Sequence, residues 1–266
     1  DIELPPIVRL ERQGGGADAI ANAANLLSNS KFPVILSGAG VVIGGAIEET
    51  KKLAEKLDSP VCSGYQHNDS FPGSHPLAAG PLGYNGSKAA MELISKADVV
   101  LALGTRLNPF STLPGYGMDY WPKNANIIQV DINPDRIGLT KKVTVGISGD
   151  AKLVAQQIFD KLSSTAGDID RQKRKDLIHQ TKSAWLQKLS SLDHEEDDKG
   201  TVWNKEARER DKDRMSPRQA WRAIQAGIPE DVIISSDIGN NCAIGNAYPT
   251  FEKPRKYLAP GLFGPC

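Results

Sequence analysis

The chain of 266 residues sets 32 Lys and Arg against 32 Asp and Glu, and 39% of its residues are hydrophobic. That length holds one large domain or two ordinary ones, and zero net charge offers no field to favour nucleic acid or an anionic membrane. No apolar run reaches the length of a membrane span and no signal peptide opens the chain, so a cytoplasmic location is expected. Cys62, Cys242 and Cys266 lie far apart with no CxxC pair, which suits a reducing compartment and argues against disulfides or zinc.

Residues 1–17 open on Asp1-Ile2-Glu3-Leu4-Pro5-Pro6, reach Gly14-Gly15-Gly16, and read as a linker ending in a flexible joint. Asp18 then caps a helix with Ile20, Ala23, Ala24 and Leu27 on one face. The stretch Pro33 to Gly44, PVILSGAGVVIG, begins with an apolar strand at 33–37 and turns at Gly38-Ala39-Gly40. An amphipathic helix from near Ala46 follows, with Ile47, Thr50, Leu53, Ala54 and Leu57 inward. The glycines leave amide N–H groups above the strand end, where an anion can be held; the plainer alternative is a tight turn and nothing more.

Pro60 to Ser63 is a second strand, with Cys62 in the core. The loop from Gly64 to Gly86 has no obvious structure, and loops of that length are usually functional. His67, Asp69 and His75 are suitable metal donors, but their spacing matches no recognised site, and His75-Pro76 reads better as a turn. Ser87 caps a helix running to Lys96, and Asp98 leads into a strand at Val99 to Leu103. Gly104-Thr105-Arg106 makes a second glycine turn with a cation beside it. Strands at Ile127 to Asp131 and Val143 to Ile147 follow, and Asp150 caps a helix bearing Val154, Ile158 and Leu162.

This alternation predicts an α/β domain over 18–165, a doubly wound, Rossmann-like parallel sheet with the strands at 33–37, 99–103 and 127–131 side by side. Its ligand edge gathers Gly38, Gly40, Arg106 and Asp131, the chemistry of a nucleotide site: N–H groups and Arg for phosphate, a carboxylate for ribose. The glycines at 38, 40 and 44 are not spaced G-x-G-x-x-G, and the second strand ends on Ser63-Gly64 rather than an acidic residue. Both points argue against hydride transfer with NAD.

Residues 166–214 read as a charged helical linker. From Asp168 to Arg214 there are 12 acidic and 12 basic residues, with Trp185, Leu186, Leu189 and Leu192 as the cluster through which it would pack. A second unit spans 215–266. Ser216 caps a helix with Pro217 at its first position and Ala220, Trp221 and Ile224 inward. A strand at 232–236 then meets the polar turn Gly239-Asn240-Asn241 and a helix from Cys242. One helix and one or two strands cannot bury a core, so the expectation is an incomplete second α/β domain in a piece of a longer protein.

The motifs PVILSGAG, HNDSFPGSHPLAAGPLGYNGSKAAM, ADVVLALGTRL, DYWPKNANIIQVDINPD and VGISGDAK together resemble the DHS-like, NAD/FAD-binding middle domain of thiamine-diphosphate enzymes. The likeness is to the acetolactate synthase and pyruvate oxidase group. SSDIGNN with FEKPRKYLAPGLFGPC resembles the opening of their diphosphate-binding domain. HNDSFPGSHPL, GPLGYNGSKAAM and ALGTRLNPFSTLPGYGMDYWP resemble the sulfoacetaldehyde acetyltransferase branch. Ala259-Pro260-Gly261, where acetolactate synthases more often carry Ser-Gly-Gly, also favours that branch.

The resemblance implies an acyltransferase using thiamine diphosphate and Mg2+. It would convert sulfoacetaldehyde and phosphate to acetyl phosphate and sulfite, in a homodimer or homotetramer. Gly239, Asn240 and Asn241 would approach the cofactor diphosphate, and Cys266 would lie where a bulky residue supports the bent cofactor. No catalytic group and no Mg2+ ligand is expected within these residues, and the site at Gly38, Gly40, Arg106 and Asp131 is expected to be vestigial. The alternatives are an acetolactate synthase-like carboligase and a non-catalytic nucleotide-binding or scaffold module.

Overall fold

The computed structural model describes residues 11–163, 171–193, 215–237 and 239–259. The elements that build the sheet are α1 (Ala17–Ser28), β1 (Pro33–Ser37), α2 (Ala39–Gly44), α3 (Ile47–Leu57), β2 (Val61–Ser63) and β3 (Ala78–Pro81). They continue with α4 (Lys88–Ile94), β4 (Val99–Leu103), β5 (Asn126–Asp131), β6 (Val145–Ser148) and α5 (Ala151–Lys161). The six strands are all parallel, in the order β3-β2-β1-β4-β5-β6. Every residue of β1 and β4 is buried, as it must be in a parallel sheet covered on both faces. The α/β architecture expected from the alternating pattern is what forms, with the three expected strands as neighbours.

Helix starts follow the polar residues that can cap them. Ser87 accepts from the Ala90 N–H, and Asp150 accepts from the Lys152 and Leu153 N–H groups. Asp18 does not cap α1; Gly16 takes that place and Asp18 sits in the first turn, where its charge still favours the helix N-terminus. Before β4, Asp98 accepts from the Lys31 and Phe32 N–H groups at 2.7 and 2.9 Å and from the Ser30 hydroxyl. Burial pushes its carboxyl up, but these hydrogen bonds outweigh that and hold it below the ordinary carboxylate range.

Within the sheet domain, α2 and β3 were not visible in the sequence. α2 follows β1 directly, although its glycines are poor helix formers; burial of Val41 and Val42 holds it, and Gly45 ends it at a φ of 67°. β3 lies inside the supposed loop. Its sequence, Ala-Ala-Gly-Pro, has little strand propensity, but an edge strand pairs on one side only and tolerates Pro. The strand expected from Val143 begins at Val145 instead.

α6 (Arg171–Asp193) lies back on this sheet domain, and cations anchor its first half. Arg174 donates to the carbonyls of Lys31, Leu57 and Asp58 at 2.7, 2.9 and 3.1 Å. Arg171 donates to Lys56 O at 2.9 Å and pairs with Asp58. These groups neutralise the carbonyl end of α3, where a positive charge is favoured. Ile178 is the buried apolar contact, Trp185 meets Tyr116 edge-on at 5.3 Å, and Leu186 is 61% exposed. The side chain of Leu192 lies outside the described residues.

The last unit contains α7 (Pro217–Gly227), β7 (Ile234–Ser235), α8 (Asn240–Ala247) and β8 (Tyr257–Leu258), with β7 and β8 parallel. Ser216 and Gln219 form a capping box at the start of α7. No residue of α7 is buried, and Ile224, expected to face inward, is 45% exposed.

Candidate functional site

At the carboxyl ends of the strands the order reverses between β1 and β4, and a cleft of about 490 Å³ opens there. Gly40, Arg106 and Asp131 line it, together with Arg12, Arg136 and Asp150. Gly38 lies in the turn beneath. The amides that looked free for an anion are engaged: Gly38 N–H donates to Leu103 O at 3.1 Å and Gly40 N–H to Gly104 O at 2.8 Å. A Cβ on Gly38 would stand 2.6 Å from Gly104 O, and one on Gly40 would stand 2.7 Å from Gly104 Cα. The glycines therefore let the two turns touch, which is a packing role.

Asp131, Arg12 and Asp150 in the cleft have partners as well. Asp131 is nearly buried and accepts from the Asn133 N–H at 2.9 Å. Arg12 donates to Gly44 O at 2.6 Å and stands 3.7 Å from Asp150. Arg106 is exposed at the rim. His67, on the far wall, has its pKa lowered by burial above all and by Arg106 in addition, against the opposing pull of Asp69.

The second candidate site is the turn at the start of α8. Gly239 caps that helix with φ 81° and ψ −146°, a conformation open to glycine, and Asn240 and Asn241 form its first turn. Gly239 is exposed and nothing lies within 4 Å of the position a Cβ would take. An open main chain at a helix N-terminus fits an anionic diphosphate in its charge and its donors. The side chains of Asn240 and Asn241, and the whole of Cys266, lie outside the described residues.

The loop after β2 joins these two places, which nothing in the sequence announced. Gln66 N–H donates to Asn246 Oδ1 at 2.7 Å and Gln66 Nε2 to Cys242 Sγ at 3.0 Å. Asn68 Nδ2 donates to Pro249 O at 3.2 Å, and Gly73 N–H to Phe251 O at 2.8 Å. Asp69 Oδ2 accepts the N–H groups of Lys256 and Tyr257 at 3.0 and 3.4 Å. Tyr257 in turn donates its hydroxyl to Cys242 O at 3.3 Å, and burial, aided by Cys242, pushes its pKa up to about 12. His75 pairs instead with Glu55 at 3.2 Å. The three donors considered for a metal thus do separate jobs, and among the described residues no group of three or more His, Cys, Asp or Glu could hold one. Nor, among those residues, is any helix long and apolar enough to cross a membrane.

Residues 20–158, more than half of the chain, match the family model described as thiamine pyrophosphate enzyme, central domain. The chain belongs to the thiamine pyrophosphate enzyme family. Across all 266 residues it is 76% identical to a probable sulfoacetaldehyde acetyltransferase of Rhizobium meliloti (strain 1021), covering 45% of that protein. It is 73% identical to a sulfoacetaldehyde acetyltransferase of Roseovarius nubinhibens, covering 44% of it. A probable acetolactate synthase large subunit of Methanococcus aeolicus is 30% identical over 92% of the chain. The chain spans less than half the length of these relatives. As the central domain of a thiamine pyrophosphate enzyme, the six-stranded sheet carries the cleft, and the unit docked on its loop carries the open turn at Gly239.

Proposed function

We propose that the chain is the central part of an acyltransferase that converts sulfoacetaldehyde and phosphate to acetyl phosphate and sulfite with thiamine diphosphate and Mg2+. The observation that carries this reading is the identity of 76% and 73% over every residue to two relatives of that name, against 30% to an acetolactate synthase. When bound, the cofactor supplies the nucleophilic carbon and the electron sink for the carbon chemistry. Gly239, Asn240 and Asn241 would hold its diphosphate at the N-terminus of α8, Cys266 would lie beside it, and the Mg2+ ligands would come from elsewhere in the protein. The cleft with Gly38, Gly40, Arg106 and Asp131 is a vestigial nucleotide site. The engagement of both glycine amides with the main chain supports this. The protein acts in the cytoplasm as a homodimer or homotetramer.

The test uses full-length protein with thiamine diphosphate and Mg2+. Sulfite should leave sulfoacetaldehyde only when phosphate is present, with acetyl phosphate as co-product. Condensation of two pyruvates instead would establish the acetolactate synthase reading. Asn240→Leu should raise the cofactor concentration needed for half-maximal rate; an unchanged requirement removes Asn240 from the site.

A further inference from the structure

The geometry points to Gln66 as a positioning residue for the cofactor: it fixes α8, and with it the turn at Gly239, from the loop of the central domain. Two bonds from this one residue reach both ends of the helix. Its side-chain amide meets Cys242, in the first turn and three residues past Gly239, at 3.0 Å. Its backbone N–H meets Asn246, in the last turn, at 2.7 Å. Contacts at both ends set the height and the rotation of a helix of eight residues.

The local costs show that this arrangement is not incidental glue. Gln66 holds a φ of 67°, in the left-handed region that side-chain-bearing residues rarely adopt. Such a conformation persists only where the surroundings over-determine it. Asn246 is fully buried, and its Nδ2 has no partner among the described residues. An apolar side chain there would avoid the desolvation of that amide, so what Asn246 contributes is the bond it accepts from Gln66. Tyr65 adds a weaker contact, its hydroxyl 3.5 Å from Cys242 Sγ. Tyr65, Gln66 and His67 also line the cleft between β1 and β4, so the loop touches the cleft on one side and α8 on the other.

This inference rests on the proposed cofactor site, and its test separates the two. In full-length protein, Gln66→Gly accepts the positive φ, keeps the N–H bond to Asn246, and deletes the amide on Cys242. Alkylation of Cys242 by iodoacetamide, followed by peptide mass spectrometry, reads the helix without reference to the cofactor. Cys62, fully buried in β2, reports that the central domain remains folded. We expect Cys242 to be alkylated about fivefold faster, and calorimetry to show thiamine diphosphate bound about fivefold more weakly. The apparent KM for the cofactor should rise with kcat unchanged at saturation, a split that general loss of structure does not produce. Faster alkylation with unaltered cofactor affinity, or no change in either, overturns the proposal. If Cys62 also reacts, Tyr65→Phe decides by the same measurements with a smaller change of the same sign. If the wild-type protein binds no thiamine diphosphate, the proposed function fails and takes the cofactor role of Gln66 with it, whatever Cys242 shows.

Discussion

Gly40 donates its N–H to the carbonyl oxygen of Gly104 at 2.8 Å, where the turn after β1 meets the turn after β4 with no space for a side chain. Adding a methyl group at Gly40 must push apart the two strands at the point where the sheet order reverses. Gly40→Ala should therefore cost about 1–3 kcal/mol, the usual range for overpacking, read as a lower midpoint in chemical denaturation. A wild-type midpoint would show that the turns have room to separate.

Asp69 ties the second unit to the sheet domain by accepting the Lys256 and Tyr257 N–H groups. Bonds of amides to a charged acceptor are worth about 1.5–3 kcal/mol each, and Asp69→Ala leaves both donors without this partner. The expected outcome is local. Amide exchange at Tyr257 and Gly73 should speed up, while the amides of β4 and β5 stay protected. Equal loss of protection in β4 would mean that Asp69 supports the sheet rather than the docking.

His67 makes stability depend on pH. Its folded pKa lies below the ordinary 6.5, because burial, with a smaller push from Arg106, disfavours the charged ring more than Asp69 favours it. Above pH 6.5 the ring is neutral in both states and nothing is lost. As pH falls below 6.5 the unfolded chain takes up the proton first, so stability declines until the folded ring is protonated too. Denaturant unfolding between pH 7 and 5 should show this decline, and His67→Asn should flatten it. An identical slope in the variant would assign the decline to other groups.

The 266-residue chain by itself should bind thiamine diphosphate no better than about millimolar. Two or three hydrogen bonds at the Gly239 turn contribute about 1.5–3 kcal/mol each, against the cost of immobilising the ligand. No described cluster could add a bridging metal. Calorimetric titration with cofactor and Mg2+ checks this, and micromolar affinity would place the cofactor among groups other than that turn.

The sheet was legible because its strands follow short-range rules. Runs such as Val99–Leu103 are apolar throughout, since both faces of a parallel strand are buried, and Ser87, Asp150 and Ser216 announce the helices that follow them. Local pattern failed where partners decide the conformation. Ala78–Pro81 is a strand only because β2 offers its edge, and Ala39–Gly44 is a helix only because its valines are covered.

The sequence by itself determined the family, the order of strands and helices, and the types of residue at the strand ends, because these depend on composition and periodicity along the chain. Only the tertiary structure decided what those residues do. Gly38 and Gly40 turn out to be spacers against Gly104, since their amides are taken by the end of β4 and the turn after it. Arg174, part of a charged stretch in the sequence, and Asp69, weighed there as a metal donor, become the anchors of α6 and of the last unit. Gln66 and Asn246 stand 180 residues apart, and no periodicity links them. A hydrogen bond depends on the meeting of two surfaces in space, and that meeting is set by the packing of the whole chain rather than by any stretch of it.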